Sequence, residues 1–318
     1  MLRRLAACAV PAVVAAGAGL LAAMPAAGAP ADGGKTGAQS AAAWSLRQVG
    51  LPQAWRLGRG DPSTVVAVLD SGVDASDPDL SGAIVPGHDF VDGGTDTSDD
   101  LGHGTLAAGV IAGRGAAGAS PGACPRCRIM PVRVIDAAGK GSAAAIASGI
   151  AWAVDHGARV VNMSFVMPTT DPGIAAAVQY ALDRGVVLVA GAGNSGGSTI
   201  QYPAGYPGVI SVAATDPADD LEPWSTRGGW VSVAAPGCSV SVGVFGRAES
   251  FCGTSSSTAL VSGIVALAIS ATHAAPGAAI VSALASTSVS IGPGVAWGRV
   301  DAAALVRLLA ARSLPAPA

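Results

Sequence analysis

The chain has 318 residues, of which half are hydrophobic and only 12% are charged, so it can bury a large core and is not an intrinsically disordered chain. Its 18 basic and 21 acidic residues give a formal net charge of −3, which argues against a nucleic-acid-binding protein. The length fits one large α/β domain, and the sequence contains no internal repeat and no second domain boundary.

The first 31 residues have the pattern of a secretory signal peptide. Arg3 and Arg4 form a positively charged start, and an apolar run over residues 5–24 follows. Small residues come next, with a cleavage-type site at Ala29-Pro30-Ala31. We therefore expect cleavage, export and an extracellular protein. An uncleaved anchor is the alternative, but the glycines and the proline of this run make it a poor bilayer span.

The rest of the chain predicts a single folded domain between two short flanking segments. Residues 32–43 are small and polar, as in a linker. We expect the folded domain to occupy residues 44–312 and a tail to follow at 313–318. No later segment has the pattern of a membrane helix, and we expect no C-terminal membrane anchor.

Strand and helix patterns alternate along the predicted domain. Continuous apolar runs rich in branched residues predict buried strands over residues 64–69, 128–135, 160–163, 186–190 and 209–213. Helical stretches lie between them at 104–112, 142–156 and 173–184. This alternation indicates crossover connections and an α/β fold, in which helices cover both faces of a parallel sheet.

Four cysteines remain once Cys8 leaves with the signal peptide. An even number in an exported chain predicts two disulfides, although four cysteines allow three pairings. We favour Cys124 with Cys127 and Cys238 with Cys252, because each pair closes a local loop. A redox motif or a zinc site at Cys124 and Cys127 is the alternative. A strand-like run follows the pair and no histidine has ligand spacing, which argues against both.

Four polar residues lie where chemistry is expected. Asp70 ends the first predicted strand, at the sheet edge where α/β folds place their active sites. His103 stands between two glycines, which allow another backbone to approach closely. Asn194 follows a buried strand, and Ser255 begins an apolar helix whose N–H groups can stabilise an anion. Taken singly, each fits a simpler role such as a turn residue or a helix cap.

Taken together, the order Asp70, His103, Ser255 resembles the subtilisin-like serine proteases. The resemblance covers about residues 44–305 and rests on VVAVLDSGVD, GHGT, GAGNSG, YPAGYPGVISVAA, VSVAAPG and GTSSSTALVSG. It implies a three-layer fold with a mostly parallel central sheet flanked by helices. It also implies a serine endopeptidase that requires no cofactor and cleaves protein or peptide substrates through an acyl-enzyme.

The resemblance also implies a role for each residue. Ser255 would attack the scissile carbonyl, His103 would take its proton, and Asp70 would orient the imidazole. Asn194 and the backbone N–H of Ser255 would hold the oxyanion. A substrate-pairing strand and the facing wall of the specificity pocket would be formed by Ser164, Phe165, Val166, Gly191, Ala192 and Gly193.

The chain departs from the family pattern after the substrate-pairing strand. Val166 and Met167 stand where relatives carry two glycines, which predicts a narrow groove and a restricted substrate range. This departure and the Gly-Thr-Ser-x-Ser segment are similar to mycosins, subtilases attached to type VII secretion systems. That similarity implies a secretion-system partner as an alternative. A catalytically silent subtilase fold used for binding is a further alternative.

An acidic loop precedes the candidate histidine. Its carboxylates suit a hard cation such as calcium, which some relatives bind there, but a solvated acidic loop explains them equally well. We therefore assign no metal to this loop. Its acidic residues are Asp89, Asp92, Asp96, Asp99 and Asp100.

Overall fold

The computed structural model describes residues 44–116, 118–272 and 275–312. The predicted signal peptide, linker and tail lie outside these residues and stay predictions. The described chain begins with a helical turn at 44–48 and the short helix α1 (Leu51–Ala54).

A seven-stranded parallel sheet forms the centre of the protein, which confirms the predicted α/β class. The order of the strands in space is β2-β3-β1-β4-β5-β6-β7. The strands are β1 (Val65–Asp70), β2 (His88–Asp89), β3 (Arg128–Arg133), β4 (Val160–Met163), β5 (Val187–Gly191), β6 (Ile210–Thr215) and β7 (Val233–Pro236).

Helices cover both faces of this sheet. They are α2 (His103–Ala112), α3 (Ala143–Asp155), α4 (Pro172–Asp183), α5 (Thr254–Thr272), α6 (Gly277–Thr287) and α7 (Ala302–Arg312). Alternation along β1 divides the core in two. Val66 and Val68 pack with α2 and α5, whereas Ala67 and Leu69 pack with α3 and α4. The two packed faces give the three layers that the sequence predicts.

The three helices predicted from the sequence begin and end within one residue of α2, α3 and α4. Local capping explains two of the starts. The Ser142 hydroxyl accepts a hydrogen bond from the Ala145 N–H at the start of α3, and Asp171 caps α4 just before Pro172.

Helix α5 crosses the centre of the molecule. It is the one helix among the described residues that is long and apolar enough to cross a membrane, yet 89% of its most apolar stretch is buried within the protein. It packs against α2 at Gly263, where a Cβ would lie 2.7 Å from that of Ala123 and 3.1 Å from the Ile111 carbonyl oxygen. Here α5 is a core helix.

An antiparallel hairpin, β8 (Cys238–Gly243) and β9 (Arg247–Cys252), precedes α5. Cys238 and Cys252 lie opposite each other in its register and form a disulfide. The second disulfide joins Cys124 and Cys127 just before β3. The structure thus pairs the cysteines as the sequence analysis favours.

Candidate active site

Asp70 and His103 meet where β1 ends and α2 begins. His103 Nδ1 lies 2.8 Å from Asp70 Oδ1, and Asp70 is fully buried. The Ser71 N–H donates to the same carboxylate oxygen at 2.8 Å. A Cβ at position 104 would collide with the Gly72 carbonyl oxygen, so the glycine at this position allows α2 to approach β1.

Asp99 fixes the start of α2. Its Oδ1 accepts from the N–H groups of Leu101 and Gly102 and from the Ser71 hydroxyl, the last at 2.8 Å. Its Oδ2 accepts from the Thr105 N–H at 2.8 Å and from the Thr105 hydroxyl at 2.6 Å. One carboxylate therefore satisfies several N–H groups that a helix start leaves unpaired.

The surroundings of His103 set its protonation. Burial lowers the pKa of the imidazole, but the Asp70 carboxylate and, more weakly, Asp99 raise it, and the net pKa lies above the ordinary 6.5. Phe251 on β9 packs edge-on against the ring, with centroids 5.3 Å apart. When the imidazole is neutral and Nδ1 donates to Asp70, Nε2 is the nitrogen that can accept a proton.

Ser255 is the second residue of α5 and is only 9% exposed. Its hydroxyl donates to the carbonyl oxygen of Ser164 at 3.0 Å, and the Ser164 hydroxyl donates to the Ser255 carbonyl oxygen at 3.2 Å. A hydroxyl has one hydrogen, so the Ser255 O–H must leave the Ser164 carbonyl oxygen before it can donate to His103.

Asn194 follows β5 and faces the start of α5. Its Oδ1 accepts from the N–H and from the hydroxyl of Thr254, both at 2.9 Å. These bonds assign the orientation of the amide and leave Nδ2 as its outward donor. A Cβ on Gly253 would lie 3.1 Å from Asn194 Nδ2 and 3.8 Å from the Ser255 N. Two N–H donors therefore flank one space that this glycine keeps open.

The two predicted substrate-binding segments face each other. A Cβ on Gly193 would lie 3.5 Å from Val166 Cγ1, so the Val166 side chain reaches across toward the opposite wall. The Thr254 and Thr258 hydroxyls lie 3.2 and 3.3 Å from the corresponding position on Gly191. Ala192 is fully buried within that wall.

Phe165 differs from its neighbours in the predicted substrate-pairing segment. Its side chain is 3% exposed and packs in the core with Met163 and Ile174. Only the Phe165 backbone is left for contact with a peptide.

Sheet order brings the sequence-predicted residues to one edge. Asp70 ends β1, Ser164 follows β4, and Gly191 ends β5, and these three strands are neighbours. Sequence reasoning missed Phe251 and Thr254, whose contacts depend on the hairpin and the helix start. The sequence indicates Asp99 only as a loop acid, because it lies four residues before α2, outside the N-cap position that Gly102 occupies.

Arg133 offsets part of the negative charge of the acidic loop. Arg133 on β3 contacts Asp89 at 2.7 Å, Asp92 at 2.6 Å and Asp100 at 3.8 Å. The Ser98 N–H and hydroxyl donate to Asp96. Among the described residues no group of three or more His, Cys, Asp or Glu side chains could hold a metal ion. Arg133 and Ser98 therefore take up part of the acceptor capacity of Asp89, Asp92 and Asp96 that a calcium ion would need.

Comparison with known proteins agrees with this geometry. Residues 61–303 match the family model described as the subtilase family. The chain is 38% identical over 270 residues to thermitase from Thermoactinomyces vulgaris, covering 81% of this chain and 95% of thermitase.

Two further relatives cover a smaller share of the chain. A thermophilic serine proteinase from Bacillus sp. (strain AK1) is 40% identical over 217 residues, which are 67% of this chain and 54% of that protein. Subtilisin Savinase from Lederbergia lenta is 37% identical over 225 residues, which are 70% of this chain and 82% of that protein. The chain therefore belongs to the subtilase family and is a serine-type endopeptidase.

Proposed function

We propose that this protein is an exported endopeptidase that hydrolyses peptide bonds through Ser255, His103 and Asp70. The observation that carries this proposal is the 2.8 Å bond between a fully buried Asp70 and the His103 imidazole, at the sheet edge that also holds Ser255. This pairing leaves Nε2 as the base of a neutral imidazole.

The first half-reaction forms an acyl-enzyme. Ser255 Oγ attacks the scissile carbonyl carbon while its proton moves to His103 Nε2, and Asp70 stabilises the resulting imidazolium. The carbonyl oxygen becomes an oxyanion. The carbon–nitrogen bond then breaks, and Nε2 returns the proton to the leaving amine. In the second half-reaction water attacks the ester carbonyl carbon while its proton moves to His103 Nε2. The carbon–oxygen bond to Ser255 then breaks, and Nε2 returns the proton to Ser255 Oγ as the acid leaves.

The oxyanion would be held by Asn194 Nδ2 and the backbone N–H of Ser255. Their position on either side of the space above Gly253 supports this assignment. The two bonds from Thr254 keep the Asn194 amide from turning. Loss of one such donor typically lowers kcat by about 10²–10³-fold.

Reaction with a fluorophosphonate tests the assignment. We expect the folded, exported protein to be labelled and the Ser255→Ala variant to remain unlabelled and inactive on peptides. An unlabelled but folded wild-type protein would instead support the silent binding scaffold.

We also propose a restricted substrate range. The reach of Val166 toward Gly193 supports a specificity pocket that admits small side chains. Met167 is paired with Tyr202 through two backbone bonds, which holds that side of the groove in place. The Val166→Gly variant should accept larger side chains than the wild type in a peptide library. Equal cleavage of many unrelated peptides by the wild type would contradict this proposal.

Export is supported by the signal-like pattern of residues 1–31. Fractionation of cells expressing the full chain should place the processed protein outside the membrane, and a variant without residues 1–31 should stay inside. The mycosin-like alternative predicts that activity in cells depends on a secretion-system partner. Purified protein that cleaves its natural substrate without a partner would contradict that alternative.

We propose that catalysis needs no bound metal. The contacts of Arg133 with Asp89 and Asp92 support this proposal for the loop beside His103. The activity of the folded protein should be unchanged in excess chelator. Activity that falls in chelator while the protein stays folded, and recovers with calcium, would contradict it.

A further inference from the structure

A line of hydrogen bonds runs through the core beneath Ser255. The Ser262 hydroxyl donates to Asn162 Oδ1 at 2.9 Å, and Asn162 Nδ2 donates to the Ser164 hydroxyl at 2.9 Å. The Ser164 hydroxyl in turn donates to the Ser255 carbonyl oxygen at 3.2 Å. Every donor has one acceptor, so the line is internally consistent from Ser262 to Ser255.

Helix geometry explains why the line starts and ends on α5. Ser255 and Ser262 are seven residues apart, about two helical turns, so both lie on the face of α5 that meets β4. Asn162 stands in β4 between Val68 and Val189 of the neighbouring strands. Asn162 and Ser262 are fully buried and Ser164 is 4% exposed.

Buried polar groups of this kind are costly unless they are bonded to one another. Here the Asn162 amide is the bridge, because it is the only member of the line that bonds both to α5 and to the segment after β4. If the Ser262 hydroxyl is removed, Asn162 Oδ1 loses that donor and the amide can turn away from Ser164.

We propose that Asn162 and Ser262 are positioning residues for the nucleophile, an inference that rests on the proposed function. Through Ser164 they fix the Ser255 carbonyl group and therefore the first turn of α5. The same turn carries the Ser255 N–H. The line also fixes Ser164, whose carbonyl oxygen holds the Ser255 hydroxyl in the resting state.

This role affects mainly the reaction step, since the line acts on Ser255 and involves no direct contact of Asn162 or Ser262 with the substrate. Neither Asn162 nor Ser262 is exposed, so neither touches a peptide. A small displacement of Ser255 misaligns its Oγ with His103 and its N–H with the oxyanion, and a misplacement of about 1 Å can cost about 100-fold in rate.

The test compares two buried serines of the same helix. Ser262→Ala should lower kcat per active site by about tenfold and change KM by less than it changes kcat. The rate of fluorophosphonate labelling should fall with kcat, and the pH midpoint of kcat/KM should not move, because the contacts of His103 are intact. Active sites are counted by complete labelling, so that a partly unfolded sample does not count as a slow enzyme.

Ser270→Ala is the matched control. Ser270 is also buried on α5, but its hydroxyl donates to the Thr64 hydroxyl at 3.0 Å. It is not part of the line of hydrogen bonds that leads to Ser255. This variant should lose stability without losing kcat per labelled site. Ser262→Thr keeps the hydroxyl and should recover most of the rate lost in Ser262→Ala.

A double variant tests whether the line acts as a unit. Ser262→Ala should have little further effect on kcat when Asn162→Ala is already present. If Asn162→Ala does not fold, the comparison of alanine and threonine at position 262 decides alone. Unchanged kcat in Ser262→Ala, or an equal loss in Ser270→Ala, overturns the inference. An unlabelled wild type would instead overturn the proposed function.

Discussion

Two carboxylates set the position and the pKa of His103, and they act in different ways. Asp70 bonds directly to the imidazole, whereas Asp99 bonds to the backbone at the start of α2 and acts on the ring through its charge. Both raise the pKa of His103 against the effect of burial. In the proposed mechanism His103 accepts a proton only when it is neutral, so kcat/KM should rise with pH through a midpoint above 6.5.

Replacing Asp99 by asparagine should lower that midpoint. The substitution removes a negative charge that favours the protonated imidazole, so the pKa of His103 falls toward its ordinary value. The measurement is the pH profile of kcat/KM on a short peptide. Asp96→Asn removes an exposed carboxylate from the same loop and is the control for net charge. An equal shift in both variants would mean that the effect is not specific to Asp99.

At the scale of elements, loops and hairpins hold the site to the sheet. Arg133 on β3 forms ion pairs with the acidic loop that leads to α2. Phe251 on β9 packs against the His103 ring. In both cases an element distant in the sequence holds a part of the site in place. A change that destabilises β3 or the β8–β9 hairpin should therefore affect activity as well as the free energy of unfolding.

The Arg133→Met variant should be destabilised by about 3–5 kcal/mol, because it leaves the Asp89 carboxylate buried and without its cation. Denaturant unfolding measures this loss. Asp92→Asn removes a carboxylate that is 74% exposed and should change the free energy of unfolding by about 0–1 kcal/mol. Similar losses in the two variants would refute a burial-based cause.

Removal of the hairpin disulfide should reduce both stability and activity. Cys238 and Cys252 are 14 residues apart, and a closed loop of that size contributes about 3 kcal/mol. Without it, β9 can part from β8 and move Phe251 away from His103. The double serine variant at these positions is compared with the one at Cys124 and Cys127, which should retain kcat. Full activity in the hairpin variant would show that Phe251 needs no covalent support.

At the scale of the whole molecule, the packing of α5 against its neighbours links the core to the candidate active site. Helix α5 packs on several strands of the sheet and on α2, and it carries Ser255 at its start. Its 89% burial means that small changes of volume are felt throughout the core. Ser255, the proposed nucleophile, is thus held at the start of a helix that is buried along almost its whole length.

Gly263→Ala should destabilise the protein even though alanine is the better helix former by about 1 kcal/mol. The added Cβ would lie 2.7 Å from the Cβ of Ala123 and 3.1 Å from the Ile111 carbonyl oxygen of α2, so α5 must move away from both, at a cost of about 1–3 kcal/mol. Denaturant unfolding again provides the measurement. Gly58→Ala is the control, since a Cβ there has no atom within 4 Å. A more stable Gly263→Ala variant would show that the helices part freely.

Local sequence patterns predict the strands that are buried on both faces, the helices between them and the four polar residues at the ends of those elements. Val160–Met163 forms β4 as predicted, because its apolar branched residues suit a strand covered on both sides. The pattern did not reveal β9, since four of its six residues are exposed and carry no apolar alternation.

Local patterns do not predict which side chains meet, because the contacts at the site join residues far apart in the sequence. The bond between Ser255 and Ser164 joins residues 91 apart, and that between Ser262 and Asn162 joins residues 100 apart. Local patterns specify the elements, but the order of strands in the sheet selects contacts over such distances. The same reason explains the contact of Phe251 with the His103 ring and the ion pair of Arg133 with Asp89 in the acidic loop. Each depends on two elements that are brought together by burial of the core between them.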